Sequence, residues 1–236
     1  AHLSPEARSL AEVGATLGRQ FAFDVLVAAS SHAGDSTAKD VLVRALDELW
    51  QRRIVRQSSA TDYDFAHDKI RHVVYDGLSP VRRRHLHQRV AHALVEVHGD
   101  NPDAPSGQIA RHYERGGLQR QAIDHYRRAA AVARRIYANE EAIGIYRYLL
   151  DSELSAALRD DEACAIMLEL GGVWQLTGDW PAAQRIYKRA LAMAEAADNR
   201  AMCARCHFSL GNLVRQQGAY DDALEWLSMA RDGFES

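Results

Sequence analysis

The chain has 236 residues, of which 47% are hydrophobic and 26% are charged, and its formal net charge is −3 at pH 7. These values are those of an ordinary soluble chain, and they exclude only classes of protein with an extreme composition. The length allows one large or two modest hydrophobic cores. No apolar run approaches the ~20 residues of a membrane span, and no basic-then-apolar leader opens the chain, so we predict a cytoplasmic protein without membrane contact.

The first fifty residues predict three helices. The chain begins at Ala1 rather than at a methionine, and we expect it to be part of a longer protein. The first helix signal is LSPEARSLAEVGATL, with Ser4 as N-cap and Pro5 in the first turn. A second helix is expected after Phe23. The third is expected in KDVLVRALDELWQRR, where helical spacing predicts one buried stripe of Leu42, Ala45, Leu46, Leu49 and Trp50.

A short β-hairpin and two more helices follow. The segments RIVRQ and DYDFAH flank the polar SSAT and predict two strands joined by a turn. Three helices followed by a two-stranded wing is the element order of a winged helix. Helix is expected again in HDKIRHVVYDGL and in PVRRRHLHQRVAHALVEV, the latter with one apolar face of Leu86, Val90, Ala93, Leu94 and Val97. We therefore predict a winged-helix module with following helices over 1–97, and a linker containing prolines and glycines over 98–107.

A repeated pattern fills most of 108–236. Aligning 168–194 with 208–230 places equivalent residues 40 positions apart, and partial copies occur at 116–130 and 137–150. Small residues where helices cross and a glycine at the turn are what stacked helical hairpins need. The pairs are Leu170 and Leu210, Gly171 and Gly211, Gly178 and Gly218, Trp180 and Tyr220, and Ala183 and Ala223; the partial copies contain Gly117, Ala122, Tyr126, Ala129 and Ala142.

These residues resemble the tetratricopeptide repeat, in the long variety whose units approach forty residues. The fold class we predict is therefore mainly α: a winged-helix module with a small β-hairpin, followed by an α–α superhelix. The resemblance implies that the repeats bind a protein partner or a small effector.

The three cysteines raise two alternatives that the repeat disfavours. Cys203, Cys206 and His207 have the C-x-x-C-H spacing of c-type haem attachment, but one period earlier the same places hold apolar residues. We therefore predict core positions for both cysteines, and neither haem nor zinc. Cys164 is expected to be a buried thiol, because three cysteines are too few for a disulfide framework.

The segments GATLGRQFAFDVL, ALDELWQRRIVR and FAHDKIRHVVYDGLSPVRRRHLHQRVAHAL resemble the region that follows the nucleotide-binding module in bacterial STAND-type ATPases. These are LuxR-like, SARP-like or adenylyl-cyclase-linked regulators. The resemblance implies a signal-transducing switch with an ATPase domain upstream in cis, which would bind ADP or ATP. The chain has no G-x-x-x-x-G-K-[ST], so we expect this region to have no cofactor of its own and no enzymatic activity.

One histidine carries a sharper hypothesis. His67 and Asp68 stand where the wing strand meets the next helix, and resemble the histidine–aspartate pair with which related ATPases touch the phosphates of ADP. The alternative is that His67 caps or packs this corner. His85, His87 and His92 miss the i, i+4 spacing of a helical metal pair, and we interpret them as surface histidines on a basic helix.

The last feature of the sequence is a basic stretch between residues 69 and 92. It can bind phosphate or an acidic neighbouring domain, and its members are Lys69, Arg71, Arg82, Arg83, Arg84 and Arg89. With a winged helix, it also suggests DNA binding as the alternative function, through Arg44, Arg52 and Arg53. Asp47 and Glu48 on the same helix would repel phosphate, so we favour the regulatory role.

Overall fold

The computed structural model describes residues 2–30, 36–99 and 105–235, and it is mainly helical with one small sheet. The chain divides into two compact units, Ala1–Ala122 and Ile123–Ser236. In chain order the elements are α1 (Pro5–Leu17), β1 (Gln20–Ala22), α2 (Phe23–Ser30), α3 (Ser36–Gln51), β2 (Val55–Gln57), β3 (Asp62–Phe65), α4 (Asp68–Asp76), α5 (Pro80–His98), α6 (Ser106–Arg115), α7 (Gln119–Arg135), α8 (Asn139–Asp151), a 3₁₀ helix (Glu153–Ala157), α9 (Asp160–Thr177), α10 (Trp180–Ala196), α11 (Arg200–Gln216) and α12 (Tyr220–Glu235).

The first helix begins where the sequence predicts. The Ser4 hydroxyl accepts a hydrogen bond from the backbone N–H of Ala7, and Pro5 occupies the first turn. The carboxylate of Glu48 on α3 accepts from the Ser4 hydroxyl at 2.6 Å, so the cap also ties α1 to α3. The helix packs against α2, α3, α4 and α5, which places it at the centre of the first unit.

The sheet contains the predicted hairpin and one strand that the sequence reasoning missed. Strands β2 and β3 pair antiparallel as expected, with Val55 opposite Phe65. Strand β1 pairs with the other edge of β3, giving the order β1–β3–β2. Phe21 of β1 lies edge-on to Phe65 at 5.8 Å between ring centroids, and this contact joins the sheet to the core.

Two apolar residues that the sequence placed on buried stripes are exposed. Trp50 was expected on the buried stripe of α3, but 58% of its surface is accessible, whereas Ala45, Leu46 and Leu49 are buried. Val97 of α5 is likewise exposed, although the other four predicted residues of its face are buried. Both residues lie in the last turn of their helices.

The predicted linker is largely outside the described residues, because 100–104 are not described. At its edges, α5 continues to His98 and α6 already begins at Ser106, which is buried.

The second unit shows the repeat directly. Hairpins α9–α10 and α11–α12 start 40 residues apart, and their turns contain Gly178 and Gly218 with φ of +87° and +84°. A residue with a side chain is strained in this left-handed region, which explains the glycine at both turns. Ala183 and Ala223 are both buried, as expected for helix crossings.

Close approach explains the second repeated glycine. A Cβ atom at Gly171 would overlap the ring of Tyr187 on α10, and a Cβ atom at Gly211 would lie 2.8 Å from Cγ of Leu227 on α12. The first helix of each hairpin therefore needs a residue without a side chain opposite a bulky residue on the second.

Candidate interaction surfaces

The structure engages part of the predicted basic surface in internal contacts. Nε of Arg82 on α5 lies 3.2 Å from the Glu12 carboxylate on α1. Arg83 donates to the backbone oxygen of Tyr75 at 3.2 Å and stacks over its ring at 4.5 Å. These two arginines hold α1 and α4 against α5, so their positive charges interact mainly with groups inside the fold.

The other members of the basic surface differ in exposure. Arg71 forms an ion pair with Asp68 at 3.3 Å, and Arg89 is partly buried, where burial and then Arg82 lower its pKa. Lys69 and Arg84 are exposed. The basic face that a partner could reach is therefore smaller than the sequence suggests.

His67 lies at the N-cap of α4, directly after β3. Its backbone is extended, its side chain makes no capping hydrogen bond, and the residue is exposed. The neighbouring Asp68 is held by Arg71. The imidazole is thus accessible at the positive end of a helix, as its proposed contact with an anion requires.

The arginines considered for DNA binding lie at α3 and just beyond it. Arg44 is exposed and donates to a backbone oxygen one turn earlier, while Arg53 follows the helix with a φ of +56°. Arg52 pairs with Glu48 at 3.0 Å and donates to the backbone oxygen of His2. This helix therefore presents two arginines that make no ion pair among the described residues, together with the exposed Asp47.

A buried histidine pair is the main feature that sequence reasoning missed. His87 is 1% exposed, so its interpretation as a surface histidine is wrong, whereas His85 is exposed as expected. Nδ1 of His87 on α5 lies 2.9 Å from Nδ1 of the buried His112 on α6. Nε2 of His87 lies 2.8 Å from the hydroxyl of Tyr75 on α4. The cluster joins three helices of the first unit.

Both histidines of this pair are neutral near pH 7. If the Tyr75 hydroxyl donates to His87 Nε2, then His87 Nδ1–H donates to His112 Nδ1; the reverse order is equally satisfied. Burial, followed by Arg115 and Arg83, lowers the pKa of His87 to about 4. Burial, followed by His87, Arg115 and Arg111, lowers the pKa of His112 to about 3.

The three cysteines lie on helices α9 and α11, and two of them are buried. Cys164 is buried as predicted, with its thiol 3.4 Å from the backbone oxygen of Ala190. Cys206 is fully buried, and burial raises its pKa to about 12. The predicted core position of Cys203 is wrong: this residue is only partly buried, because it borders a cavity of about 410 Å³ beside His207. Among the described residues, no three metal-ligating side chains lie close enough together to hold an ion.

The first helices of the repeat hairpins carry an accessible stripe. On α11 it consists of Ala201, Arg205, Phe208, Asn212 and Arg215, spaced so that they share one face of the helix. Four of these are exposed, and Phe208 has 51% of its surface accessible. The equivalent stripe of α9, 40 residues earlier, is partly exposed over most of its length. We call these two stripes together the α9–α11 face.

Hydrogen bonds within and between the two hairpins hold this face in place. The Tyr187 hydroxyl on α10 donates to Gln175 Oε1, and Gln175 Nε2 donates to Gln216 Oε1 on α11 at 2.8 Å. Farther along the unit, Arg127 of α7 pairs with Glu169 of α9 at 3.0 Å. The hydrogen bond between Gln175 and Gln216 therefore links α9 and α11, the first helices of two successive hairpins, side by side.

Comparison with known families agrees with the repeat geometry. Residues 162–236 match the family model described as tetratricopeptide repeat. This part of the chain consists of helical repeats like those of the tetratricopeptide family. None of the helices among the described residues is long and apolar enough to cross a membrane.

Relatives and solved structures resemble larger parts of the chain. An uncharacterized protein of Rhizobium meliloti (strain 1021) is 26% identical over 199 residues, which is 80% of this chain and 19% of that protein. The chain therefore spans about a fifth of the length of this relative. A STAND protein with a tetratricopeptide repeat sensor from Pyrococcus horikoshii is 14% identical, with a TM-score of 0.34 over 98% of this chain and 51% of that one. BtubC from P. vanneervenii is 16% identical, with a TM-score of 0.43 over 98% of this chain and 92% of that one.

Proposed function

We propose that this chain is the non-catalytic regulatory and partner-binding region of a signal-transducing STAND-type ATPase or transcriptional regulator. Tetratricopeptide repeats support a protein-interaction role, and the observation that carries the proposal is the α9–α11 face. A half-exposed phenylalanine flanked by Arg205 and Arg215 combines apolar area with charge that steers an acidic segment.

The regulatory part of the proposal is supported by the first unit. The order α1–β1–α2–α3–β2–β3, with a three-stranded antiparallel sheet, agrees with a winged-helix module that would dock on an ATPase domain upstream in cis. His67, exposed at the N-terminus of α4, would touch the phosphates of ADP held by that domain. The exposed Lys69, two residues after His67, would add positive charge to the same contact.

The nucleotide contact is tested in the full-length ATPase with His67→Ala. A phosphate-directed hydrogen bond is worth roughly 1.5–3 kcal/mol, so ADP should dissociate at least tenfold faster and basal output should rise. An unchanged ADP off-rate with a lowered melting temperature would mean that His67 only supports the strand–helix corner.

The partner-binding role is tested by photo-cross-linking in the cell that makes the protein. A benzophenone amino acid replaces Phe208, and the matched control replaces Tyr137, an exposed aromatic residue in the turn between α7 and α8. We expect a defined protein adduct at position 208 that the double variant Arg205→Glu, Arg215→Glu abolishes. Adducts that form equally at both positions, or that survive the charge reversal, would contradict this role.

DNA binding through α3 is the alternative function. Its support is the pair of exposed arginines, Arg44 and Arg53, and its weakness is that Glu48 already holds Arg52 while Asp47 faces solvent. We expect weak duplex binding without sequence preference, lost as salt rises. A salt-resistant, sequence-specific complex in a mobility-shift assay, abolished by charge reversal at the two arginines, would establish the alternative instead.

A further inference from the structure

Helix α4 is attached to the rest of the first unit more weakly than the helices around it. All of its residues are described, and every one of them is partly or fully exposed. Val73 on its outer face has 74% of its surface accessible. By contrast, α5 and α6 each bury several apolar residues, among them Leu86 and Ile109. A helix with so few buried apolar contacts opens more easily than its neighbours.

Tyr75, the last residue but one of α4, ties this helix to α5. Its hydroxyl lies 2.8 Å from Nε2 of His87. The guanidinium of Arg83 stacks over its ring at 4.5 Å and donates to its backbone oxygen at 3.2 Å. His67 stands at the opposite end of the same helix. Since a helix of nine residues moves as one piece, a displacement at His67 also changes the position of Tyr75.

The hydroxyl of Tyr75 is the first member of a hydrogen-bond chain that reaches α6. Nδ1 of His87 lies 2.9 Å from Nδ1 of His112. His87 and His112 are 1% and 5% exposed, so solvent water has little access to either ring. If Tyr75 withdraws, Nε2 of His87 loses this partner, or the ring turns and gives up its bond to His112. Either change weakens the contact between α5 and α6, because a buried ring nitrogen is left without a hydrogen bond.

We propose that Tyr75, His87 and His112 form a relay that couples the position of α4 to that of α6. Displacement of α4 loosens α6 on α5, and loosening of α6 releases α4 in turn. Helix α6 is the last complete helix of the first unit and directly precedes α7. The inference deepens the proposed function and rests on the nucleotide contact proposed for His67. The relay carries the state of that contact from α4 to the end of the first unit.

The coupling is tested by hydrogen–deuterium exchange on the whole chain in the absence of nucleotide. Tyr75→Phe removes only the hydroxyl, and we expect the amides of both α4 and α6 to exchange about tenfold faster. His112→Leu removes the other end of the relay, and the amides of α6 and α4 should again both exchange faster. Because coupling between two sites is reciprocal, each variant should act on the helix to which the altered residue does not belong.

Two controls make the result specific. Arg71→Gln breaks the ion pair with Asp68 in the first turn of α4 and leaves Tyr75 in place. It should speed exchange at the start of α4 and leave the exchange of α6 unchanged. The amides of β3, the central strand of the sheet, report opening of the first unit as a whole and should keep their rate in every variant.

Three outcomes would overturn the proposal. The first is unchanged exchange of α6 in Tyr75→Phe or of α4 in His112→Leu. The second is equal acceleration in β3, because the first unit would then open as a whole. The third is faster exchange of α6 in Arg71→Gln, because any weakening of α4 would then suffice. If the relay fails but His67→Ala speeds ADP release, the nucleotide contact stands without the relay. The reverse pattern would leave the coupling intact and remove the nucleotide contact.

Discussion

Acid should destabilise the first unit through His87 and His112. Their pKa values in the folded protein are about 4 and about 3, below the 6.5 of a free histidine, so the unfolded chain binds more protons between these limits. The stabilising contribution is therefore complete above pH 6.5 and is lost as pH falls toward the folded pKa values. The slope for each histidine rises from about 0.7 kcal/mol per pH unit at pH 6.5, where half of the unfolded imidazoles are charged, to about 1.4 kcal/mol per pH unit at lower pH. The pair therefore removes about 3 kcal/mol between pH 6.5 and 5.

The groups around the pair do not reverse this sign. Arg83, Arg111 and Arg115 all oppose protonation of the pair. A second proton on the pair would also set two N–H groups against each other across 2.9 Å.

The assay is hydrogen–deuterium exchange of the α5 amides, corrected for the intrinsic rate at each pH. The double variant His87→Gln, His112→Gln should lose most of the pH dependence of the opening free energy. His85→Gln, which changes an exposed histidine two residues away, should keep it. The same slope of opening free energy against pH in the double variant and the wild type, between pH 6.5 and 5, would refute the role of the histidine pair.

Three further predictions concern the second unit. Gly211→Ala should lower the free energy of unfolding by about 1–3 kcal/mol, because its Cβ would lie 2.8 Å from Leu227. Gly144 lies on α8 with open space around it, so Gly144→Ala should raise the free energy of unfolding by about 0.5–1 kcal/mol. Urea titration measures both changes. Ala183→Leu should overpack a fully buried helix crossing and cost about 1–3 kcal/mol; an unchanged thermal melt would mean that the repeat phasing is wrong. Iodoacetamide should alkylate Cys206 only after unfolding, since burial raises its pKa to about 12; labelling of the native chain, read by mass spectrometry, would contradict its burial.

The repeats were predictable because their constraints are local and periodic. Gly178 and Gly218 each permit a left-handed turn, and Ala183 and Ala223 each permit a close crossing, so the 40-residue alignment locates all four from the sequence. Strand β1 was missed because three residues between two helices show no alternation, and only pairing with β3 makes them a strand.

The sequence could predict the burial of His87 but not its pairing with His112. His87 lies three and seven residues before Val90 and Leu94, so helical spacing places it on the buried face of α5. Its partner His112 belongs to another helix, and no sequence spacing reports that the two ring nitrogens meet. The exposure of Trp50 was also unpredictable, because helical periodicity gives the direction of a stripe but not how far each of its side chains is covered.

Pulled from its C-terminal end, the stack of hairpins would come apart in steps. Each hairpin closes its own turn at Gly178 or Gly218 and packs mainly on the helices next to it, so the α11–α12 hairpin can separate while α9–α10 keeps its contacts with α8. One step would release about 40 residues, or about 130–145 Å of extended chain. Under tension the repeats would therefore unfold one hairpin at a time rather than all together.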